Sequence, residues 1–288
     1  MKITVFTPTY NRAYILESLY RSLQRQTCRD FEWLIVDDGS SDNTQELVQT
    51  WVAEGNDFPI RYFRQENGGK HRAINYGLKL AKGELFFTVD SDDYLTDDAL
   101  EKVLHWEAEL PKEQNYCGFA GNLGTSVGKT PNRIFENTSF DGTALDRYGA
   151  VDGERAMVFY TDIHRKCPYP VFEDEKFMTE AVAWNRMAHD GYKMRFHNDI
   201  IWIYEYKEDG LTMAGNKLFL GNPKGYGLWL REQAAFLRYP LKQKMKMWYT
   251  FTCDLSALYR SRQIAEYIQA PYLLIAAINT VHKLICKF

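Results

Sequence analysis

The sequence has few cysteines, almost no net charge and no long hydrophobic run. Its five cysteines are odd in number and include no C-x-x-C pair, which argues against a disulfide framework and against a thiolate zinc site. The 35 Lys and Arg against 38 Asp and Glu give no general attraction to nucleic acid. The longest uncharged run, residues 267–282, contains a proline and is shorter than the roughly 20 apolar residues of a membrane-spanning helix.

The N-terminus lacks the features of a secretory leader, because its apolar run is short and ends at Pro8. We therefore expect a cytosolic protein with reduced cysteines. The charge is distributed unevenly. Residues 224–288 carry ten Lys or Arg against three Asp or Glu, so about −10 remains on residues 1–223. The acidic part is suited to metal binding and the basic part to contact with an anionic surface.

Strand and helix patterns alternate through the first 100 residues. β-branched and apolar runs predict strands at residues 3–7, 31–36, 60–63 and 84–89, and apolar residues at helical spacing predict a helix after each. This order predicts an α/β fold with a mainly parallel sheet flanked by helices on both faces.

The pattern changes after the first 100 residues. Residues 115–153 are rich in Gly, Asn and Thr, which favours loops and short antiparallel pieces. A helix is predicted at residues 179–189 and a strand at 200–206. Beyond residue 222 the sequence is basic, aromatic and helical in pattern.

Polar residues follow three of the predicted strands, at the edge of the sheet where open α/β folds bind ligands. The three segments are Thr7-Pro8-Thr9-Tyr10-Asn11-Arg12, Asp37-Asp38 and Asp90-Ser91-Asp92-Asp93. One acidic turn alone is often only a helix cap. Three at one edge indicate a site, because such clustering of negative charge is costly unless a cation or a hydrogen-bonding ligand offsets it.

The segment that begins at Asp90 carries the most specific signal. Carboxylates two positions apart at the end of a strand can point the same way, and such oxygen ligands are preferred by Mg²⁺ and Mn²⁺. A site of this kind would hold a diphosphate. The alternative is that Asp92 or Asp93 only leads into the helix predicted near Thr96, which does not account for four polar residues directly after an apolar strand.

In this order, the three segments resemble family 2 inverting glycosyltransferases of the GT-A fold. Two further segments contribute to the resemblance, Gly39-Ser40-Ser41-Asp42 and Ala81-Lys82-Gly83-Glu84. The resemblance is strong over residues 1–100 and looser over 150–215. It implies a GT-A domain over residues 1–221, with a nucleotide-sugar-binding half at 1–100 and an acceptor-side half at 101–221. A helical C-terminal extension would cover 222–288.

The resemblance also implies a donor site for a nucleotide sugar, most often a UDP-sugar. Its residues would be Thr7, Pro8, Thr9, Asp38, Lys70, Asp90, Ser91 and Asp92. The first three would line the nucleoside pocket, and Asp38 rather than Asp37 would accept a hydrogen bond from the base. Asp90 and Asp92 would bind Mn²⁺ or Mg²⁺ and the diphosphate, with Asp92 the better candidate for the direct ligand. Lys70 would reach a phosphate or the base, or would be a plain surface lysine.

In the family that this sequence resembles, the inverting reaction uses a carboxylate base that lies just before a helix. The resemblance places Glu180 in this position. The family more often has Asp there, followed by an acidic and aromatic pair that Ala181 and Val182 replace here. The nearby alternatives are the three acidic residues at positions 173–175. A helix-start role for Glu180 is also open.

Three other features are weaker. A late loop of the family often adds a histidine contact, which Glu205 would replace here if the contact exists. His197 is expected to be packed rather than a ligand. Residues 124–130 resemble a P-loop but have one residue too few between the glycines, and we expect a surface loop.

The basic tail has two interpretations. It is either a helical cap on the catalytic domain or a membrane-surface element, which would suit a lipid-linked glycan acceptor. The whole sequence therefore predicts a metal-dependent glycosyltransferase that acts on a glycan or lipid-linked glycan. Two alternatives stay open: a sugar-nucleotide pyrophosphorylase, which would need a glycine-rich loop after the first strand, and a non-catalytic protein that binds carbohydrate or membrane.

Overall fold

The structure is a computed structural model that describes residues 1–112, 114–204 and 215–285. Its contacts divide the chain into two compact units. The first contains residues 1–169 and the described residues from Arg186 to 204. The second contains Pro170–Asn185 and the described residues from Gly215 onward.

The first unit is built on a nine-stranded sheet with the order β3-β2-β1-β4-β8-β6-β9-β5, in which β7 also pairs with β9. The strands are β1 Ile3–Thr9, β2 Phe31–Asp37, β3 Ile60–Arg64, β4 Leu85–Thr88, β5 Tyr94–Leu95, β6 Tyr116–Gly124, β7 Ser139–Gly142, β8 Arg155–Tyr160 and β9 Lys193–Ile203. The strands β1 to β4 are mutually parallel, whereas β8 runs antiparallel to both β4 and β6. The predicted α/β architecture with a mainly parallel sheet is confirmed.

Helices connect the first four strands of this unit, and further helices follow β5 and β8. They are α1 Glu17–Gln24, α2 Thr44–Glu54, α3 Lys70–Leu80, α4 Ala99–Glu109 and α5 Thr161–Lys166. Another helix, α6 Ala181–His189, begins in the second unit and ends in the first. All seven residues of β1 and all seven of β2 are buried. Both faces of these strands are covered, as expected for a parallel sheet between helix layers.

Stacked aromatic rings form much of the core. The Tyr20 ring lies 4.4 Å from the Trp51 ring and 6.0 Å from the Trp33 ring, measured between centroids. On another side of the sheet core, Phe6 stacks on Phe86 at 4.9 Å. The contacts of Tyr20, Trp33 and Trp51 attach α1 and α2 to β2, and the contact of Phe6 with Phe86 joins β1 to β4.

The prediction of loops and short antiparallel pieces for residues 115–153 is wrong in its first part. Residues 116–124 form the fully buried strand β6, which pairs antiparallel with β8 and parallel with β9. Glycine and asparagine weaken the strand pattern here, but the packing requires them. A Cβ atom at Gly118 would overlap the Val158 carbonyl, and one at Gly121 would lie within 3 Å of Ile201 and Trp106 side-chain atoms.

The second unit is helical. Its helices, besides the start of α6, are α7 Asn216–Gly221, α8 Pro223–Phe236, α9 Leu241–Leu255, α10 Ser261–Ile268 and α11 Tyr272–Ile285. Their shared core contains Phe251, Leu255, Ile264, Ile268 and Ile275, each fully buried. The helical character predicted for the C-terminal part is confirmed. The domain boundary at residue 221 stays a prediction, and within the structure Pro170–Asn185 packs with the C-terminal helices.

Candidate active site

The carboxyl ends of β1, β2 and β4 meet at one edge of the sheet. Thr9 pairs with Asp37 in the β1–β2 register. The Asp38 amide continues this pairing by donating to the Thr9 carbonyl at 2.8 Å, and the Val89 amide donates to the Phe6 carbonyl at 2.8 Å. The three polar segments noted in the sequence therefore emerge side by side.

Side-chain hydrogen bonds join the first two loops at this edge. The Asn11 amide donates to Ser40 Oγ, and the Ser41 amide donates to Asn11 Oδ1, both at 2.8 Å. Asn11 has a φ of 53°, a left-handed conformation that Asn tolerates better than most residues. In addition, the Ala13 amide donates to Asp42 Oδ2 at 3.1 Å. The loop after β1 is thus held in place by the loop after β2.

Asp37 is fully buried and has a structural role. Its carboxylate accepts hydrogen bonds from the Ser40 amide at 2.7 Å and from the Tyr62 hydroxyl at 2.5 Å. Burial, followed by the bond to Asp37, raises the pKa of the Tyr62 phenol well above its usual range. The expectation that Asp38 rather than Asp37 bonds to the base stays a prediction.

The Asp38 carboxylate accepts four hydrogen bonds from residues 65–69. Oδ1 accepts from Gln65 Nε2 at 2.7 Å and from the Gly68 amide at 2.9 Å. Oδ2 accepts from Asn67 Nδ2 at 3.2 Å and from the Gly69 amide at 2.7 Å. A carboxylate offers about four lone-pair positions, so these donors use its full capacity. A nucleobase that bonds to Asp38 would have to displace one of them.

Lys70 lies at the start of α3, directly after Gly69, whose φ of 97° requires glycine. Its Nζ atom lies 2.6 Å from Asp90 Oδ1. The lysine is 24% exposed and the aspartate 35% exposed. The structure therefore brings together two residues that the sequence assigned to the same donor site from segments 20 positions apart.

Asp92 lies beside Asp90 in a half-buried position. Burial, and then repulsion by the Asp90 carboxylate, raise the pKa of Asp92, while the charges of Arg12 and Lys70 oppose this shift. Ser91 between them is buried. The next residue, Asp93, accepts a 2.8 Å hydrogen bond from Trp202 Nε1, which ties the segment to β9.

The Asp90 and Asp92 pair fits a divalent cation. Two repelling carboxylates, one of them partly desolvated, gain from a positive ion between them. Mg²⁺ and Mn²⁺ commonly take one or two protein carboxylates and complete their shell with water and phosphate oxygens. Within residues 1–112, 114–204 and 215–285, no group of three or more His, Cys, Asp or Glu side chains is arranged to hold a metal. A two-carboxylate site is therefore the form that the described chain offers.

The three predicted nucleoside-pocket residues end β1. Thr7 is fully buried and its hydroxyl accepts a 3.0 Å hydrogen bond from Trp33 Nε1, so this hydroxyl serves the core. Pro8 is buried as well. The Thr9 hydroxyl is buried without a hydrogen-bond partner among the described residues, an unusual state for such a group. The pocket role of all three stays a prediction.

Arg12 is a site residue to which the sequence reasoning gave no role. Its positive charge acts on Asp92 and lowers the pKa of that carboxyl against the effect of burial. The signal was present, because Arg12 closes the first polar segment of the edge. A cation whose charge acts on one of two carboxylates that are expected to receive a diphosphate is a candidate phosphate contact.

The second unit contains Glu180, directly before α6. Its carbonyl accepts from the Trp184 amide at 3.4 Å, so the residue stands at the helix start as expected. Its carboxylate-bearing side chain is half-buried. The role of Glu180 as base stays a prediction, and Glu205 lies outside the described residues.

Two of the three nearby acidic alternatives have structural partners. Asp174 forms an ion pair with Lys224 at 2.6 Å. Glu175 is buried and accepts from the Lys224 and Gly225 amides at 2.6 and 2.8 Å, which satisfies the N-terminus of α8. Burial raises the pKa of Glu175 in spite of these bonds. Glu173 is exposed.

The two features set aside at the sequence level behave as expected. His197 stacks on Trp106 at 4.2 Å, and burial lowers the pKa of its imidazole to about 4. In the P-loop-like segment, Ser126 and Lys129 form an antiparallel bridge, so the chain turns back in a hairpin. A hairpin lacks the helix N-terminus that a P-loop places against a phosphate.

Comparison with known proteins identifies the family. Residues 4–171, more than half of the chain, match the model of glycosyl transferase family 2. The chain belongs to this family. Its fold is the GT-A fold, and family membership does not favour the pyrophosphorylase alternative.

Individual relatives extend this result. The chain is 26% identical over 265 residues to the GalNAc(5)-diNAcBac-PP-undecaprenol beta-1,3-glucosyltransferase of Campylobacter jejuni, covering 88% of this chain and 79% of that protein. Several other curated relatives align over only about a third of their length.

Solved structures support the same fold. Staphylococcus aureus TarS 1–349 in complex with UDP-GlcNAc has a TM-score of 0.63 and 19% identity, with 100% of this chain and 92% of that chain covered. The mannosyltransferase PcManGT from Pyrobaculum calidifontis, in complex with GDP-Man and Mn²⁺, has a TM-score of 0.59 and 18% identity, with 100% and 81% covered.

Proposed function

We propose that this family 2 glycosyltransferase is a metal-dependent inverting enzyme that transfers a sugar from a UDP-sugar to a hydroxyl of a glycan or lipid-linked glycan. The observation that carries the proposal is the grouping of Asp90 and Asp92 with the cations of Lys70 and Arg12 at the ligand-binding edge of the sheet. Acidic and basic groups together match a metal-bound diphosphate, which has both a cation to ligate and negative oxygens to neutralise.

Asp90 and Asp92 would hold the metal, with Asp92 as the direct ligand. A bound Mn²⁺ or Mg²⁺ would supply stabilisation of the negative charge on the leaving diphosphate. Lys70 and Arg12 would add direct contacts to phosphate oxygens, because ammonium and guanidinium groups both form strong charge-assisted hydrogen bonds with phosphate. The chelating role of the carboxylates and the contact role of the cations can be separated by mutation.

Thr7, Pro8, Thr9 and Asp38 would surround the nucleoside. Two observations support this: the Thr9 hydroxyl is buried without a described hydrogen-bond partner, and Asp38 lies directly beside Thr9 in the sheet register. The preference for uridine over guanosine is inferred from the family resemblance and from the UDP complexes of TarS. Nucleotide release from a panel of UDP-, GDP- and dTDP-sugars tests this preference.

Glu180 would act as the base in the transfer step. Its carboxylate would take the proton of the acceptor hydroxyl while that oxygen bonds to the anomeric carbon, and the bond from this carbon to the diphosphate would break with its electron pair leaving on the phosphate oxygen. Attack opposite the leaving group inverts the anomeric configuration. Support comes from the position of Glu180 and from the engagement of Asp174 and Glu175 elsewhere.

The acceptor is inferred from the Campylobacter relative, whose name specifies an undecaprenol-linked glycan. An acceptor of this type is anchored in a membrane and exposes its growing glycan at the surface. We therefore propose that the enzyme acts at the cytoplasmic face of the cell membrane in polysaccharide assembly.

The experiment that tests the function measures nucleotide release from UDP-, GDP- and dTDP-sugars by the purified protein, with Mn²⁺, with Mg²⁺ and with EDTA. Slow hydrolysis of the true donor needs no acceptor, so this assay works before the acceptor is known. The proposal expects metal-dependent release from a UDP-sugar. Release that is undiminished by EDTA would refute metal dependence, and release from GDP-sugars alone would refute the donor assignment.

A further inference from the structure

The solvent side of α11 is apolar. One side of this helix packs into the second unit, where Ile275 is fully buried and Asn279 is 4% exposed. On the other side Leu273 is 79% exposed, Val281 50% and Leu284 59%. A single exposed aliphatic side chain is ordinary on a protein surface, but several that share one side of one helix form a patch that indicates an interaction surface.

These side chains share one face. An α-helix turns about 100° per residue, so positions 273, 277, 281 and 284 recur along one line over three turns. Ala277, the fourth position, is exposed as well. We name Leu273, Ala277, Val281 and Leu284 the α11 stripe. These exposed fractions refer to the protein with all its described residues in place, so no described residue covers the α11 stripe.

The residues that border the α11 stripe have the character of a membrane interface. Tyr272 is 53% exposed at the first turn of the helix, and Lys283 is exposed at its last turn. Both project from the same edge of the α11 stripe on a helix of this pitch. An aromatic ring with a polar tip and a lysine with an apolar stem are the side chains that lie between hydrocarbon and water.

The charge of the neighbouring helices indicates what kind of partner the α11 stripe binds. Residues 241–285 contain six Lys or Arg and only two acidic residues, Asp254 and Glu266. Asp254 accepts a hydrogen bond from Tyr226, and α11 itself contains no acidic residue. An apolar stripe on a group of helices with an excess of basic residues matches an anionic bilayer, whereas two copies of this positively charged group would repel each other.

We propose that α11 lies in the interface of an anionic phospholipid bilayer, with the α11 stripe inserted among the acyl chains and the neighbouring lysines above the headgroups. The arrangement lies on the membrane rather than crossing it, because no helix in the described part of the chain has the length and apolar content to span a bilayer. The inference extends the proposed function, since a lipid-linked acceptor is found at that surface.

The test is co-sedimentation of the full chain with vesicles of phosphatidylcholine and phosphatidylglycerol at 3:1, compared with phosphatidylcholine alone. The wild type should bind the anionic vesicles, and the triple variant Leu273→Ser, Val281→Ser, Leu284→Ser should bind at least tenfold more weakly. The matched control is Val127→Ser, which removes an aliphatic side chain of 78% exposure from the first unit and should bind like the wild type.

A second variant examines the charge. Replacing Lys242, Lys244 and Lys246 by Gln should reduce binding to anionic vesicles by more than tenfold, because each basic residue near such a surface contributes about a fivefold factor. Circular dichroism checks folding, and the single change Leu273→Glu replaces the triple variant if the latter is unfolded. Because no donor or metal is present, the outcome is independent of the proposed transfer reaction.

Three results would overturn the inference. The first is wild-type protein that stays in the supernatant with anionic vesicles, and the second is a stripe variant that binds them as well as the wild type does. The third is a concentration-dependent dimer in sedimentation velocity that the stripe variant loses, since this would assign the α11 stripe to a second copy of the chain.

Discussion

Lys70 Nζ lies 2.6 Å from Asp90 Oδ1, and this ion pair joins the start of α3 to the end of β4. The pair neutralises one of two adjacent carboxylates, and the charge of Lys70 also opposes the raised pKa of Asp92. We propose that in the donor complex Asp90 would help to hold the metal, and Lys70 would exchange its ion pair with Asp90 for a contact to a phosphate oxygen.

The first prediction follows from this exchange. Lys70→Ala should weaken binding of the UDP-sugar by about tenfold or more, because a charge-assisted hydrogen bond contributes roughly 1.5–3 kcal/mol. Isothermal titration calorimetry with Mn²⁺ present measures the change. Lys102→Ala is the matched control, since Lys102 forms a 2.8 Å ion pair with Asp98 outside the site. Equal donor affinity for Lys70→Ala and wild type would remove Lys70 from the donor site.

The second prediction is that Asp92 is needed for donor binding but lowers the stability of the unliganded protein. The fold raises the pKa of this carboxyl, so it disfavours the ionised form at neutral pH. Asp92→Asn should therefore raise the Tm of the unliganded protein by about 1–2 °C at pH 7.5 while it abolishes metal-dependent donor binding. Ionised Asp92 destabilises the folded protein by its full amount above the folded-state pKa. Below the ordinary pKa of Asp this destabilisation is absent.

Thermal unfolding across a pH series checks this sign. The advantage of Asp92→Asn over wild type should shrink as the pH falls from 7.5 toward 4, because wild-type Asp92 becomes protonated. Asp162→Asn is the control, since its side chain is 85% exposed in an ion pair with Arg165. An Asp92→Asn protein with a lower Tm than wild type at pH 7.5 would contradict the argument.

The third prediction concerns Glu180. Glu180→Gln should leave the Kd for the donor within about twofold of wild type and reduce transfer by at least 100-fold, since a positioned general base typically contributes 10²–10⁴. Glu173→Gln, an exposed change in the same segment, should transfer sugar normally. The readouts are calorimetry for the donor and a coupled assay of UDP release in the presence of acceptor. Normal transfer by Glu180→Gln would exclude it as the base.

The sheet and the grouping of the site were predictable because each depends on local pattern. Strands β1 to β4 alternate with helices, so their carboxyl ends, and with them Asp38 and Asp90, had to reach one edge of the sheet. The start of α3 after a glycine pair predicted where Lys70 would lie. These inferences need only periodicity and the handedness of parallel connections.

Other features depend on contacts that no local pattern encodes. The donors that occupy Asp38 come from residues 65–69, about 30 positions away, and they change this residue from an open acceptor to the anchor of a loop. Strand β6 was missed because Gly118 and Gly121 are required by neighbouring strands and helices rather than by strand propensity. Glu175 was a plausible base until the N-terminus of α8 was seen to bind it.

The fourth prediction uses His164, a fully buried residue of α5. Its two ring nitrogens have no hydrogen-bond partner in the described chain, and its ring contacts Phe86 and Phe159. Burial lowers the pKa of His164 to about 3. The unfolded chain, with an ordinary histidine pKa near 6.5, binds a proton more readily, so the folded protein loses stability as the pH falls below about 6.5.

His164→Phe should remove this loss. The free energy of unfolding of the variant, relative to that of wild type, should rise by up to about 1.4 kcal/mol for each unit that the pH falls between pH 6 and pH 4. Urea unfolding measures this difference. His105→Phe is the control, because His105 is 68% exposed on α4. Parallel pH curves for His164→Phe and wild type would show that His164 is protonated or solvated in the folded state.

The fifth prediction tests how closely α3 approaches the sheet. A Cβ atom at Gly77 would overlap the ring of Phe6, which is fully buried and stacked on Phe86, so the ring has no room to move. Gly77→Ala should destabilise the protein by about 1–3 kcal/mol through overpacking, although alanine is the better helix former by about 1 kcal/mol. The urea midpoint should fall without a change in the m-value. Gly221→Ala is the control, because Gly221 lies in helix α7 and a Cβ there would have nothing within 4 Å, so this variant should be at least as stable as wild type. If Gly77→Ala were as stable as Gly221→Ala, α3 would have to lie farther from β1 than the structure places it, and the position of Lys70 at its N-terminus would change with it.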